Sequence, residues 1–308
     1  MPSGHSHSHH LPPTASARHR WRLALILVLT LVVLVAEVVG SALSGSLALL
    51  SDAGHMATDA AGLGLALAAT RLAARAPTQT RTFGLARVEV LAALVNGLLV
   101  LAVGVAVVTG GIGRLIRPAM VEPASMTAIA AAGLIVNVIG LILLRGPSSE
   151  SLNVRGAYLE VMGDLLGSVA VLVAGGVIAT TGWVRADGVA SLVIGVLIAP
   201  RAYSLLREVV HVLLEGTPRT VDMGEVRRHL AGVPGVCAVH DLHAWTITSG
   251  APALTAHVVV VPEAFAPEAY HTLLDRLRDC LHGHFDVTHS TFQVEPMGHT
   301  DPDEAAHA

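Results

Sequence analysis

The sequence predicts an all-α membrane bundle of six transmembrane helices followed by a small cytosolic α+β domain with element order α-β-β-α-β. Three observations predict it. Hydrophobic residues make up 53% of the 308 and charged residues only 14%, whereas soluble domains carry about a quarter charged residues. Apolar windows of about 20 residues, the length that crosses ~30 Å of hydrocarbon, recur six times before residue 208. Past that point the pattern changes to short Val-rich alternating runs flanking an amphipathic helical stretch.

Residues 1–20 are polar, His-rich and interrupted by Pro2, Pro12 and Pro13, so they are expected to be disordered. Arg18, Arg20 and Arg22 then precede an apolar run from Leu23 to about Leu43. That run is too long for the apolar region of a signal peptide, and a second span follows at once, so it reads as the first transmembrane helix. The spans are expected at 22–43, 47–70, 88–110, 121–144, 154–181 and 187–206, which makes 21–208 the membrane domain.

Arginine is the only cationic residue type besides histidine, and its placement sets the orientation. The N-terminal segment, the second–third connection (Arg71, Arg75, Arg81, Arg87), the fourth–fifth connection (Arg145, Arg155) and the end of the sixth span (Arg201, Arg207) outweigh the opposite side. That side carries only Arg114, Arg117 and Arg185. Both termini are therefore expected in the cytoplasm, with the chain multi-pass in the inner cell membrane.

In residues 209–297, Asp222 to Glu225 resembles a capping box that opens a helix running to about Leu230. Cys237–Thr248 and Ala253–Val261 read as strands, Pro267 to about His284 as an amphipathic helix, and Asp286–Glu295 as a third strand. A short acidic tail, 298–308, closes the chain. Cys237 and Cys280 are the only cysteines, and a cytosolic location makes a disulfide unexpected.

The chemistry centres on His55 and Asp59, four apart in the second span and so on one helical face. An ionisable side chain at mid-bilayer costs roughly 2.5–3.5 kcal/mol on insertion scales, so a stacked pair needs a reason. Glu160 and Asp164 repeat the spacing in the fifth span. Two such pairs on adjacent helices supply the four N/O ligands of a tetrahedral divalent metal. The competing reading is interhelical hydrogen bonding, which three buried carboxylates exceed. Gly54, Ala57, Gly163, Gly167 and Ser168 leave room for close helix approach. Once a metal leaves, carboxylates in an apolar surround need protons to neutralise them. Metal and protons then compete for one site, as an antiporter requires.

Other polar groups carry less. Glu37 lies in the outer part of the first span, where water access is expected. Asp52 reads as an outer-mouth or helix-contact group, and Asn96 and Asn137 as interhelical hydrogen bonders. His5, His7, His9 and His10 form a flexible run suited to weak metal scavenging. In the soluble domain His240, His257, His289 and Glu295 fall on three strands and form a candidate regulatory metal site. Simple alternation puts Asp241 and His243 on one face and His240 on the other.

Together the segments Ser44 to His55, Arg81 to Gly84 with Arg87, Ser151 to Tyr158, Gly163 to Val169, Leu214 to Pro218, Val239 to Trp245 and His289 with Gln293 to Glu295 resemble the cation diffusion facilitators. Within that family the chain is most similar to the zinc/cobalt/cadmium-resistance exporters of bacteria. The resemblance implies a metallochaperone-like cytosolic domain, a homodimer and divalent metal–proton antiport. It places the transport site on His55, Asp59 and Asp164. Glu160 departs from zinc-selective members, which often have His there; a carboxylate makes the site harder and loosens the zinc preference. The family's long His-rich loop between spans four and five is replaced by the short run Arg145 to Glu150, so the N-terminal histidines are the candidates for that task.

The expected function is export of zinc, with cadmium and cobalt, in exchange for protons across the lipid bilayer, with no enzymatic activity, resident cofactor or nucleic-acid partner. A membrane-anchored metal sensor is the alternative, but the chain shows no output domain, and an anchor has no use for buried paired carboxylates. An intramembrane metalloprotease would want His-Glu-x-x-His, a string the sequence lacks.

Overall fold

The computed structural model describes residues 20–145, 152–248, 250–285, 287 and 289–299. Six long helices come first: α1 (Arg20–Ser44), α2 (Leu47–Ala73), α3 (Val88–Ile116), α4 (Pro123–Arg145), α5 (Leu152–Thr181) and α6 (Arg185–Leu213). Then follow α7 (Met223–Ala231), β1 (Val236–Thr248), β2 (Ala251–Val260), a 3-10 turn at Pro262–Phe265, α8 (Pro267–Phe285) and β3 (His289–Pro296). The N-terminal His5, His7, His9 and His10 and most of the fourth–fifth connection lie outside the described residues.

Among the described helices, α1, α3, α4, α5 and α6 are long and apolar enough to cross a membrane. Helix α2, with 27 residues, is long enough at roughly 1.5 Å per residue. Its hydropathy is diluted by Asp52, His55 and Asp59, the polar residues that carry the chemistry. Helix α6 outlasts its expected end at 206 and continues to Leu213.

The described residues divide into two compact units, those up to Ala61 with those of Gly97–Tyr203, and those of Gly62–Asn96 with those from Ser204 onward. In the first, small residues set the helix contacts, as expected where apolar burial gives no drive between helices. Antiparallel α4 and α5 meet where Gly140 faces Val161 and Gly175 faces Thr127. Gly40 of α1 packs on Ile129 of α4, and Gly188 and Gly195 of α6 pack on Gly111 and Val108 of α3. Asn137 donates to Ser168 Oγ across α4 and α5 at 3.3 Å. Leu49, Met126, Val171, Ile194 and Ile198 fill the core between them.

Two carboxylates fix helix starts here. The chain reverses from α1 into α2 at Gly45, whose φ of +70° suits a residue without Cβ. Asp187 of α6 then accepts from Ser46 Oγ at 2.6 Å, Leu47 N at 2.9 Å and Ala48 N at 3.0 Å. It acts as an N-cap for α2 supplied by another helix. Glu122 caps α4 through Ala124 N at 2.9 Å and Ser125 N at 2.6 Å, with Pro123 pre-set at the first helical position. Hydrogen bonds from the Ser125 side chain and amide, then from Ala124, hold the Glu122 carboxyl below its ordinary value.

In the second unit the sheet order is β1-β2-β3, with β1 antiparallel to β2 and β2 parallel to β3 through the α8 crossover. Val226 and Leu230 of α7 and Leu273, Leu277 and Leu281 of α8 share one core with Leu254 and Val258 of the sheet. Asp222 caps α7 by accepting from Gly224 N at 2.8 Å and Glu225 N at 3.0 Å. Glu225 pairs forward with Arg228 at 3.2 Å. The second–third connection and the start of α3 belong to this unit: Arg87 pairs with Glu215 at 3.3 Å, and Glu89 in the first turn of α3 accepts from Thr248 Oγ at 2.7 Å.

The β1–β2 register shifts at three places, Val236/Ala238, His240/His243 and Thr246/Thr248, and the middle one bears on the histidines. His240 pairs with His257 and His243 with Thr255, so Asp241 and Leu242 together oppose Ala256. This is a β-bulge, and Asp241 takes φ +44° to make it. The extra residue returns His243 to the face of His240 and brings Asp241 to the same side.

Candidate metal centres

His55 and Asp59 share a face of α2 because four residues make just over one turn. Asp164 reaches them from α5. His55 Nε2 stands 3.6 Å from Asp59 Oδ2 and 3.9 Å from Asp164 Oδ1, and one donor atom from each residue lies within 4.8 Å of the others. Two ligands on a tetrahedral zinc with bonds of about 2 Å stand roughly 3.3 Å apart, so a slight contraction converts this arrangement into a coordination shell. Two buried atoms, His55 Nδ1 and Asp164 Oδ1, have no hydrogen-bond partner among the described residues. A buried polar atom left unpaired is costly, and a cation between Asp164 and His55 would give the carboxylate oxygen one.

Glu160 stands outside this trio. Its side chain is 39% exposed and faces the Arg201 guanidinium at 3.6 Å. Arg201 Nη1 also donates to Asp59 Oδ2 at 2.7 Å. A cavity of about 200 Å³ runs beside the trio, lined by Asp52, His55, Glu160, Gly163, Gly167 and Arg201 among others. Gly163 borders it with nothing within 4 Å of a Cβ, so its smallness opens space instead of admitting a neighbouring helix. Asp52 is 1% exposed and packs on Gly167 of α5, which makes it a helix-contact group. Glu37, expected where water reaches, is likewise 1% exposed and sits against Gly133 of α4. Both Asp52 oxygens and Glu37 Oε2 have no hydrogen-bond partner among the described residues.

The second cluster sits on the sheet. The buried Glu295 of β3 spans two histidines, with Oε2 3.0 Å from His240 Nε2 and Oε1 3.0 Å from His257 Nδ1. Gln293 Nε2 holds Oε1 at 2.8 Å. The bulged Asp241 adds contacts to His257 at 3.5 Å and His243 at 2.8 Å. His240, His257 and Glu295 can each turn one donor atom to a common point, a His₂-carboxylate set suited to zinc or a similar ion. His289 is not among them. It pairs with Ala253, four residues along the strand from the His257 position, and its ring meets Phe83 edge-on at 5.5 Å. Neither Cys237 nor Cys280 is in a disulfide. Burial pushes the Cys280 thiol up, which disfavours the thiolate that binds metal.

Residues 23–214 match the cation efflux transmembrane domain, and residues 218–297 match the cation efflux protein cytoplasmic domain. The chain belongs to the cation efflux family. It is 43% identical over 307 residues to the metal cation efflux system protein CzcD of Cupriavidus metallidurans, covering 100% of this chain and 94% of that one. It is 41% identical over 296 residues to the zinc transporter ZitB of Escherichia coli, covering 94% and 92%. Against the cadmium, cobalt and zinc/H(+)-K(+) antiporter of Bacillus subtilis it is 37% identical over 268 residues, covering 86% of each. Among solved structures it is similar to the metal-bound C-terminal domain of the Cupriavidus CzcD transporter, at 44% identity over 24% of this chain and 99% of that one, with a TM-score of 0.22. As a cation efflux protein the chain is a multi-pass membrane transporter.

In this efflux protein Arg201 and Asp187 take roles that the sequence does not mark, and Asp241 lies on the opposite face from the one alternation gives it. Arg201 reads as a topology marker at the end of a span; the signal for more was the charge excess of three carboxylates over one divalent cation. Asp187 is a lone carboxylate early in an apolar span, which alone asks for a partner. The place of Asp241 depends on the bulge, which is a matter of register between strands and has no signature in the sequence of β1 alone.

Proposed function

We propose that the chain exports divalent cations, zinc together with cadmium and cobalt, from the cytoplasm in exchange for protons, working as a homodimer in the inner membrane with both termini cytoplasmic. The observation that carries this reading is the meeting of His55, Asp59 and Asp164 on two membrane helices beside a cavity that Glu160 and Arg201 also line. The names of the relatives, a metal cation efflux protein, a zinc transporter and a cadmium, cobalt and zinc antiporter, support the substrate class. The orientation rests on the arginine distribution, and the dimer on the cytoplasmic-domain match.

In the cycle we propose, a cation arriving from the cytoplasm draws the trio together, with Glu160 swinging in as fourth ligand. On the far side protons replace the cation on the carboxylates, and the protonated site returns. Asp59, Asp164 and Glu160 are thus ligands in one half of the cycle and proton carriers in the other. His55 supplies the one nitrogen. The cluster of His240, His257 and Glu295 binds the same ions in the cytosol and couples their level to the transporter, while the N-terminal histidines gather ions nearby. The test is zinc movement in sealed vesicles with and without an imposed pH gradient. Gradient-driven accumulation that a protonophore abolishes is expected; accumulation indifferent to the gradient contradicts proton exchange.

A further inference from the structure

Arg201 has no place in a four-ligand metal site, yet it occupies part of this one. Its guanidinium sits 2.7 Å from Asp59 Oδ2 and 3.6 Å from Glu160 Oε1. The Asp59 oxygen it holds is the same one that faces His55 Nε2 at 3.6 Å. Metal and Arg201 therefore draw on one atom. A guanidinium keeps its charge at any physiological pH, so it leaves a carboxylate only by being displaced, never by losing a proton.

The charge count gives the contact a purpose. Asp59, Glu160 and Asp164 bring three negative charges, one more than a divalent cation neutralises. With Arg201 beside them the loaded site is neutral, and without the metal two of the three carboxylates still have a cationic partner. The side chain has room to give way, being 47% exposed. It directly follows Pro200, whose missing N–H leaves the Val196 carbonyl without its in-helix donor and loosens the turn that carries the arginine.

We propose that Arg201 is a tethered counter-cation. It competes with the transported ion for Asp59 and Glu160, holds those carboxylates in the interval between metal departure and protonation, and lowers metal affinity enough for release. This rests on the transport-site reading above. A residue that merely shaped the site would strengthen binding by its presence; a competitor weakens it, so the sign of the change decides.

The experiment is zinc binding to the purified whole chain, by chelator competition, with the Asp59-dependent component taken as the difference from Asp59→Ala. Arg201→Gln is expected to tighten that component about tenfold or more and, in vesicles, to lower KM and kcat together as release becomes slow. Arg201→Lys, which keeps the charge but not the two-pronged reach, is expected to tighten it less, and serves alone if the glutamine variant does not fold. Unchanged or weakened binding in whichever variant folds overturns the proposal. If Asp59→Ala itself binds and transports zinc like the wild type, the transport-site reading fails instead.

Discussion

Asp187 caps a helix it does not belong to: its Oδ1, on the first turn of α6, accepts from Ser46 Oγ at 2.6 Å just before α2 begins. With the two amide bonds from Leu47 and Ala48 it fixes the start and rotation of α2, and His55 and Asp59 follow two and three turns later. Replacing it by Ala should cost about 2 kcal/mol, from a lost cap and charge-assisted bonds in a buried setting. Melting of the purified protein checks this: Asp187→Ala should unfold several degrees earlier, and Ser46→Ala should do so by less.

The pair Glu160 and Arg201 predicts a change of selectivity. Glu160→His gives the site two nitrogens and one carboxylate fewer, a donor set that suits zinc better than the oxygen-rich one does. Competitive uptake of the three ions should shift toward zinc in the variant. An unaltered ratio places Glu160 outside the ligand shell.

The cytosolic cluster predicts a separable binding event. Glu295→Gln removes the carboxylate that bridges His240 and His257 and should lower bound zinc by one ion per chain without abolishing vesicle transport. Zinc at about 100 times its dissociation constant stabilises a domain by about 2.7 kcal/mol, and the variant should lose that zinc-dependent rise in melting. His289→Ala should leave it intact, since His289 packs on Phe83 and not on Glu295.

Glu122 predicts a small pH effect of defined sign. Its carboxyl is held below the ordinary value of 4.5 by Ser125 and Ala124, so its contribution is present above that value and is lost as pH falls through the lower, folded one. Melting of wild type and Glu122→Gln should differ at pH 6 and converge at pH 3. Because the group is fully exposed, the difference should be slight.

How much of this was legible in the sequence follows a physical division. Helix spans are written in composition, so α1 to α6 fall close to their expected windows, and the one weak window is the helix that holds His55 and Asp59. The i, i+4 spacing of those two needs only helix geometry. Contacts between distant segments are different. Arg201 partners Asp59 and Asp187 partners Ser46 across more than 100 positions, and nothing local marks either pairing. Within β1 the sequence shows alternation but not the bulge at Asp241 that undoes it. His289 has the right chemistry on the right strand, and only the register of β3 against β2 takes it away from the cluster.

Zinc uptake into sealed vesicles under a pH gradient, compared among the wild type, Asp59→Asn and Asp164→Asn with each variant verified as folded, decides whether these carboxylates carry the transported ion. Rapid uptake by the wild type is expected, with a loss of at least ~100-fold in either variant, the scale of removing one charged ligand worth about 3 kcal/mol. Wild-type uptake by either variant would contradict that role.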